Sequence, residues 1–152
     1  MPGKERKEIK IAFLVVLLDQ FTKILATKYL SLGFPFPVIK NILSFTLVYN
    51  QGAAFGVLKN QTPFFIIASV FAVILIVLNL KANKHKQPLI YSISLSFILA
   101  GAIGNLIDRL RYGYVIDFID LHVWPVFNIA DSAITIGAIL LGWSILFKKD
   151  AS

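Results

Sequence analysis

The sequence predicts a membrane α-helical fold, with four transmembrane helices, a small β-sheet on the outer surface and both termini in the cytoplasm. Hydrophobic residues make up 57% of a 152-residue chain, and the mean hydropathy is +0.77. That is too apolar for an ordinary soluble domain and too short for two domains, so residues 1–152 are expected to form one integral membrane domain. The apolar residues fall in four stretches, about 9–31, 64–80, 88–108 and 129–147, against the ~20 residues that span a ~30 Å hydrocarbon core. Nine of the fifteen Lys and Arg residues (Lys4, Arg6, Lys7, Lys10, Lys81, Lys84, Lys86, Lys148 and Lys149) lie at the ends of these stretches that four spans would bring to one side. By the positive-inside rule that side is cytoplasmic.

The net charge of +7 is therefore a topology signal and not a nucleic-acid footprint. With no cysteine, disulfides, thiolate nucleophiles and cysteine-based metal sites are excluded. The two histidines, His85 and His122, are too few and too far apart in sequence for a histidine-rich zinc or iron site.

The first stretch follows a basic leader and resembles a signal peptide at first, but no small-x-small cleavage site follows, so it reads as a retained helix. Asp19 lies roughly 15 Å into this helix, near the middle of the hydrocarbon, with Lys23 one turn deeper. Both must face protein or water, and their i, i+4 order suits a helical ion pair. Such a pair either locks the helix to a neighbour or takes a direct part in function.

Residues 32–62 differ in texture. Pro35 and Pro37 stop a helix, and Ile42 to Tyr49 is rich in β-formers with partial alternation, predicting a small outer sheet. The run ends in NQGAAFG, where Asn50 and Gly52 mark a turn and the small residues through Gly56 permit close backbone approach. A plain turn with a tight packing contact explains the same pattern.

The polar residues concentrate in 101–131. On the third helix Gly101, Asn105 and Asp108 follow i, i+4, i+7, and Arg109 follows Asn105 by four, so one face carries the polar groups. Gly101 and Gly104 admit another backbone. Asn105 and Arg109 can bond a carbonyl or an anionic head group, while Asp108 can hold Arg109 or cap a loop. Tyr112, Tyr114 and Trp124 read as an interfacial aromatic belt, with a flap over a site as the alternative. Asp117 lies in the β-branched and aromatic run Val115 to Phe118, and Asp131 in the first turn of the last helix with Asn128 as its N-cap. The return between the two aspartates can bring them together. From spacing alone they are either a pair sharing one proton, with Asp117 the protonated member, or two unrelated loop and cap aspartates.

The ordered set DQFTK (Asp19 to Lys23), NQGAAFG (Asn50 to Gly56), GNLIDR (ending at Asp108 and Arg109), VIDF (Val115 to Phe118) and FNIAD (Phe127 to Asp131) resembles the bacterial lipoprotein signal peptidases, also called signal peptidase II. The resemblance spans about 19–131. It implies an aspartyl endopeptidase of the bacterial cytoplasmic (inner) membrane with an extracytoplasmic β-cradle and a periplasmic loop or helix. Such an enzyme cleaves diacylglyceryl-modified prolipoproteins on the N-terminal side of the lipidated cysteine. Carried over by motif position, Asp117 and Asp131 match the catalytic pair. Asn105 and Arg109 match residues that hold substrate or the cyclic peptide globomycin. Asn50, Gly52, Asn128 and Ala130 match further characteristic positions that we group with substrate binding, and Asp19, Lys23 and Asp108 are expected to be structural polar residues. The resemblance implies no metal and no organic cofactor. The alternatives to it are a proton-coupled transporter using Asp19, Lys23 and Asp131, a serine peptidase pairing Ser132 with Lys23, and a scaffold whose polar groups only join helices.

Overall fold

The structure, a computed structural model, describes residues 3–52, 61–82 and 87–147, with the side chains of 3–6 left aside. The small-residue run from Ala53 to Gly56, the basic residues Lys84, His85 and Lys86, and the Lys148/Lys149 pair lie outside the described residues. Among the described residues, four long helices and three strands follow in the order α1 (Gly3–Tyr29), β1 (Phe36–Ile39), β2 (Leu43–Asn50), α2 (Thr62–Ala82), α3 (Leu89–Tyr112), β3 (Val115–Asp120) and α4 (Ile129–Leu146).

Three of the helices, α2, α3 and α4, are long and apolar enough to cross a membrane. α1 falls short of that apolarity because it carries Asp19 and Lys23 in its middle and Lys10 and Lys28 nearer its ends. Burial is inverted relative to a soluble protein. Phe13, Leu14, Phe21 and Ile24 of α1 are exposed, while Asp19 and Lys23 are buried at 0% and 2% exposure. That distribution suits a hydrocarbon solvent, which accepts apolar side chains and leaves polar ones to find partners within the protein.

α3 is the central helix and packs against α1, α2 and α4. Its buried face is small and polar, with Ser92, Ser94, Ser96, Ala100, Gly101, Gly104, Asn105 and Asp108. A Cβ at Gly101 would collide with the backbone oxygen of Ala130 on α4, and one at Gly104 would sit 2.6 Å from a carboxylate oxygen of Asp19 on α1. The two glycines thus let α4 and α1 approach α3 closely. α3 runs one turn past the expected end at 108 and stops at Gly113, whose left-handed backbone (φ 77°) lets its N–H bond the Arg109 carbonyl.

The sheet is antiparallel with strand order β1-β2-β3. Residues 32–62 supply only two of its strands. The third comes from the return between α3 and α4, because the Val115 to Asp120 run pairs with β2 in a register that sets Val48 opposite Asp117 and Asn50 opposite Val115. Pro37 sits within β1, an edge strand, where proline is tolerated. Leu47, Ile116 and Phe118 pack with Ala26 of α1 into a small apolar core that seats the sheet on the helices.

Close packing at Gly101 makes a direct prediction. Gly101→Ala should lower stability by about 1 to 3 kcal/mol through overpacking against α4. Gly142→Ala, which meets nothing within 4 Å, should be neutral or slightly stabilising. Thermal unfolding of both variants in detergent checks the difference.

Candidate active site

The site is built on a buried cation. The Lys23 ammonium donates to Asp19 Oδ2 at 2.9 Å, Asp108 Oδ2 at 2.8 Å and Asn105 Oδ1 at 3.1 Å. Its three protons thus find three acceptors without water. Asp19 also takes the Ala130 N–H at 2.9 Å, and Asp108 takes the Ile116 N–H at 3.1 Å. The Gln20 amide nitrogen lies between the two carboxylates, 3.2 Å from Asp19 and 3.0 Å from Asp108. Of the two roles open to Asp108, the structure therefore has it holding the start of β3, and its cation is Lys23 and not Arg109. Neighbours on a helix point about 100° apart, so Asp108 faces α1 while Arg109 faces a cavity.

That cavity, about 250 Å³, is lined by Asn50, Gly52, Asn105, Arg109, Asp117, Trp124, Phe127, Asp131 and Thr135, among others. Strand β3 delivers Asp117 to it and the first turn of α4 delivers Asp131. Asp117, 1% exposed, accepts from the Asn50 amide at 2.9 Å and the Asn128 amide at 2.7 Å. Asp131 accepts from the Asn105 amide at 2.8 Å. It also closes a capping box, in which its N–H bonds Asn128 Oδ1 at 2.8 Å and its carboxylate takes the Asn128 N–H at 3.3 Å. The orientation of Asn105 follows from its surroundings. Its oxygen faces two donors, Lys23 and Asn128, which leaves its nitrogen to Asp131.

Burial pushes the Asp117 carboxyl up to about 7, and the nearby Asp131 charge adds to the rise, against the opposing pull of the Asn50 and Asn128 hydrogen bonds and of Lys23. A carboxyl held there changes protonation near neutrality. Beside a second carboxylate in one cavity, it can trade a proton with a bound molecule.

The other sequence-predicted residues divide. Asn50 lines the cavity, and its oxygen accepts the Gly52 N–H at 2.9 Å in a tight turn. Asn128 and Ala130 do not line it. Both are 0% exposed, Asn128 bracing the two aspartates from behind and Ala130 sitting in the contact between α3 and α4. Neither reaches the surface of this cavity, and both stand behind it. The aromatic residues also separate. Tyr49, Tyr114 and Tyr112 stack in a row with ring centroids 4.5 and 5.7 Å apart. Trp124 borders the cavity and an adjoining one of about 370 Å³ that runs past Leu121, Ser132 and Ile136. The Ser132/Lys23 pairing is not formed, since Ser132 donates to the Asn128 carbonyl at 3.0 Å and Lys23 is fully engaged.

Sequence reasoning missed Gln20, although it sits inside the DQFTK run. It also missed the brace on the β3 to α4 loop. There Asp120 accepts from Thr46 and from the His122 N–H, each at 2.8 Å, and Ser44 lies 3.1 Å from His122 Nε2. His122 adopts φ 62° to reach this position. The alternation within β2 was the available signal, because it puts Ser44 and Thr46 on one face.

Removing the buried cation should be costly. Lys23→Met leaves two buried carboxylates without their counter-charge and should destabilise by about 3 to 5 kcal/mol. Lys40→Met, at an exposed position, should change stability by less than about 0.5 kcal/mol. Unfolding curves of both in the same detergent test this.

Comparison with known proteins gives a consistent assignment. The family model described as Signal peptidase (SPase) II matches residues 11–147. The lipoprotein signal peptidase of Caldanaerobacter subterraneus subsp. tengcongensis is 53% identical over 92% of this chain and 96% of its own length. That of Moorella thermoacetica is 44% identical over 90% of each. Two bacterial membrane enzyme structures determined by the in meso method, at 2.3 and 1.9 Å, superpose with TM-scores of 0.85 and 0.82. They are 36% and 37% identical, and cover 96% and 94% of this chain and 93% and 94% of their own. The chain belongs to the signal peptidase II family.

Proposed function

We propose that the protein removes the signal peptide from diacylglyceryl-modified prolipoproteins, cleaving N-terminal to the lipidated cysteine with Asp117 and Asp131 as an aspartyl pair. The observation that carries this reading is the meeting of two carboxylates in one cavity, Asp117 buried and held at about 7 and Asp131 half-buried. The names of the relatives supply the substrate class.

The pair holds one proton, on Asp117. Asp131 is the ionised member, at the N-terminus of α4 where peptide dipoles favour negative charge. Asp131 takes a proton from water as the water oxygen attacks the scissile carbonyl, and Asp117 donates a hydrogen bond to the oxyanion that forms. Asp117 then gives its proton to the leaving nitrogen as the C–N bond breaks. The pair still carries one proton, now on Asp131, and exchange between the two acids restores the starting state. Asn105 and Asn50 hold the carboxylates in register. Arg109 supplies donors for substrate carbonyls, a role that globomycin-type inhibitors would exploit.

In this reading the whole chain is one membrane domain, with α1 as a fourth span whose Asp19/Lys23 pair is buried against α3. The basic residues near positions 4–10, 81–86 and 148–149 support a cytoplasmic location for both termini. The cavity then opens at the extracytoplasmic face of the bacterial cytoplasmic membrane, at the height where a diacylated cysteine is held by its acyl chains. Each buried methylene of those chains contributes ~0.8 kcal/mol to anchoring, so substrate arrives by lateral diffusion.

The test is cleavage of a diacylglyceryl-modified prolipoprotein by the purified protein in detergent or lipid. Asp117→Asn and Asp131→Asn, each shown to be folded, should lose on the order of 10²- to 10⁴-fold in rate, while Ser132→Ala remains active. Both aspartate variants retaining wild-type cleavage would rule out the pair. A second expectation concerns pH. Asp117 must be protonated at the start of the cycle, so kcat/KM should fall as pH rises through about 7, by about tenfold per further unit. A rate that rises steadily from pH 6 to 9 would contradict the assignment.

A further inference from the structure

α2 has no buried residue, yet its first turn touches the end of α3 in two specific ways. Thr62 Oγ1 donates to the Gly113 carbonyl at 2.8 Å. The ring of Phe65 lies under the Arg109 guanidinium, with Cζ 5.0 Å from the ring centroid. Phe64 meets the Phe65 ring edge-on at 5.4 Å and 77°, which steadies it.

Arg109 borders the cavity that holds Asp117 and Asp131, and the charges of both, together with Asp108, act on it. Among the described residues it is ion-paired with none of them. A guanidinium beside two carboxylates in a low-dielectric site is strongly drawn into a bidentate pair. Such a pair would hold the acids ionised and fill the cavity with the protein's own side chain. The Phe65 ring offers the cation a competing partner. Its face attracts the guanidinium electrostatically and covers one flat side, leaving the edge N–H donors unblocked.

We propose that Phe65 is a positioning residue whose ring holds the Arg109 guanidinium on the α2 wall of the cavity, off Asp117 and Asp131, so that its edge donors stay free for substrate carbonyls. The interaction also makes the lipid-exposed helix α2 part of the site, since a shift of its first turn carries the ring away from Arg109. This inference rests on the reading of the cavity as a peptidase site given above.

The test compares Phe65→Leu, which keeps apolar bulk without a π face, with Phe65→Tyr and Phe65→Trp, which keep the face. Phe65→Leu should lower kcat/KM on diacylglyceryl-prolipoprotein on the order of tenfold, and the aromatic variants should restore most of it. In Phe65→Leu the alkaline fall of the pH profile should move to lower pH, because a released Arg109 favours the ionised carboxylates. In an Arg109→Ala background, Phe65→Leu should cost nothing further, because its effect passes through Arg109. An unshifted profile, with the same loss in both backgrounds, would mean that Phe65 only packs and would overturn the proposal. A second readout does not need activity. The Arg109 side-chain N–H resonance of labelled protein in micelles should show a ring-current shift that Phe65→Leu abolishes and Phe65→Tyr keeps. If the wild type fails to cleave, the peptidase reading falls, and this resonance alone decides whether the ring holds the guanidinium. If the wild type cleaves and Phe65→Leu matches it in rate and pH profile, the proposal falls and the peptidase reading stands.

Discussion

The buried ammonium of Lys23 is the interaction on which the rest of the structure depends. In a low-dielectric protein interior an unpaired cation is prohibitively costly, so the burial of Lys23 dictates where its acceptors must be. Asp19 comes from its own helix, and Asn105 and Asp108 come from α3. Each carboxylate then takes a backbone N–H from a further element, Ala130 of α4 for Asp19 and Ile116 of β3 for Asp108. One cation thereby fixes the mutual rotation of three helices and the start of a strand. Small residues at Gly101 and Gly104 allow the helices to approach, but packing alone tolerates rotation about the helix axis. The polar network does not, because a one-residue rotation of α1 turns Lys23 by about 100° away from its acceptors.

The same network sets the geometry above it. Asn105 has its oxygen committed to Lys23 and Asn128, so its nitrogen is aimed at Asp131 before any ligand arrives. Asn128 caps α4 with one end and holds Asp117 with the other. The two carboxylates are therefore fixed by amides that are themselves fixed by a buried charge. This is preorganisation in the sense that matters for transition-state stabilisation, with donors oriented in advance by groups that have no alternative partner.

What could be read in the sequence was what lies within one element. The long helices followed from apolar runs, with ends displaced by a few residues where capping decides, as at Gly113. The Asp19/Lys23 pair was legible because its partners sit four residues apart on one helix. The Asn128 cap was legible because a cap is local. The partners of Asp108 were not, because Lys23 is 85 positions away and nothing local says which face of α3 meets α1. The pairing of Val115 to Asp120 with β2 was hidden for the same reason, and with it the route by which Asn50 reaches Asp117. Motif order matched the chain to a family and so put Asp117 and Asp131 together on paper. It gave no means of separating Asn128 and Ala130, buried behind the cavity, from Asn105 and Arg109, which line it.

The two aspartates differ in how they are held, and the difference follows from the elements that carry them. Asp131 belongs to a helix N-terminus, where a backbone N–H and the dipole of α4 come with the position. Asp117 belongs to a strand, which offers no run of free backbone N–H groups like a helix N-terminus, and its carboxylate is met by the side-chain amides of Asn50 and Asn128. Both oxygens of Asp117 receive a donor, yet its carboxyl still rises to about 7. Burial and the charge of Asp131 therefore outweigh two hydrogen bonds from neutral amides. Two carboxyls on two kinds of backbone, sharing one cavity, are thus placed in unequal environments, and inequality of that kind is what separates an acid from a base.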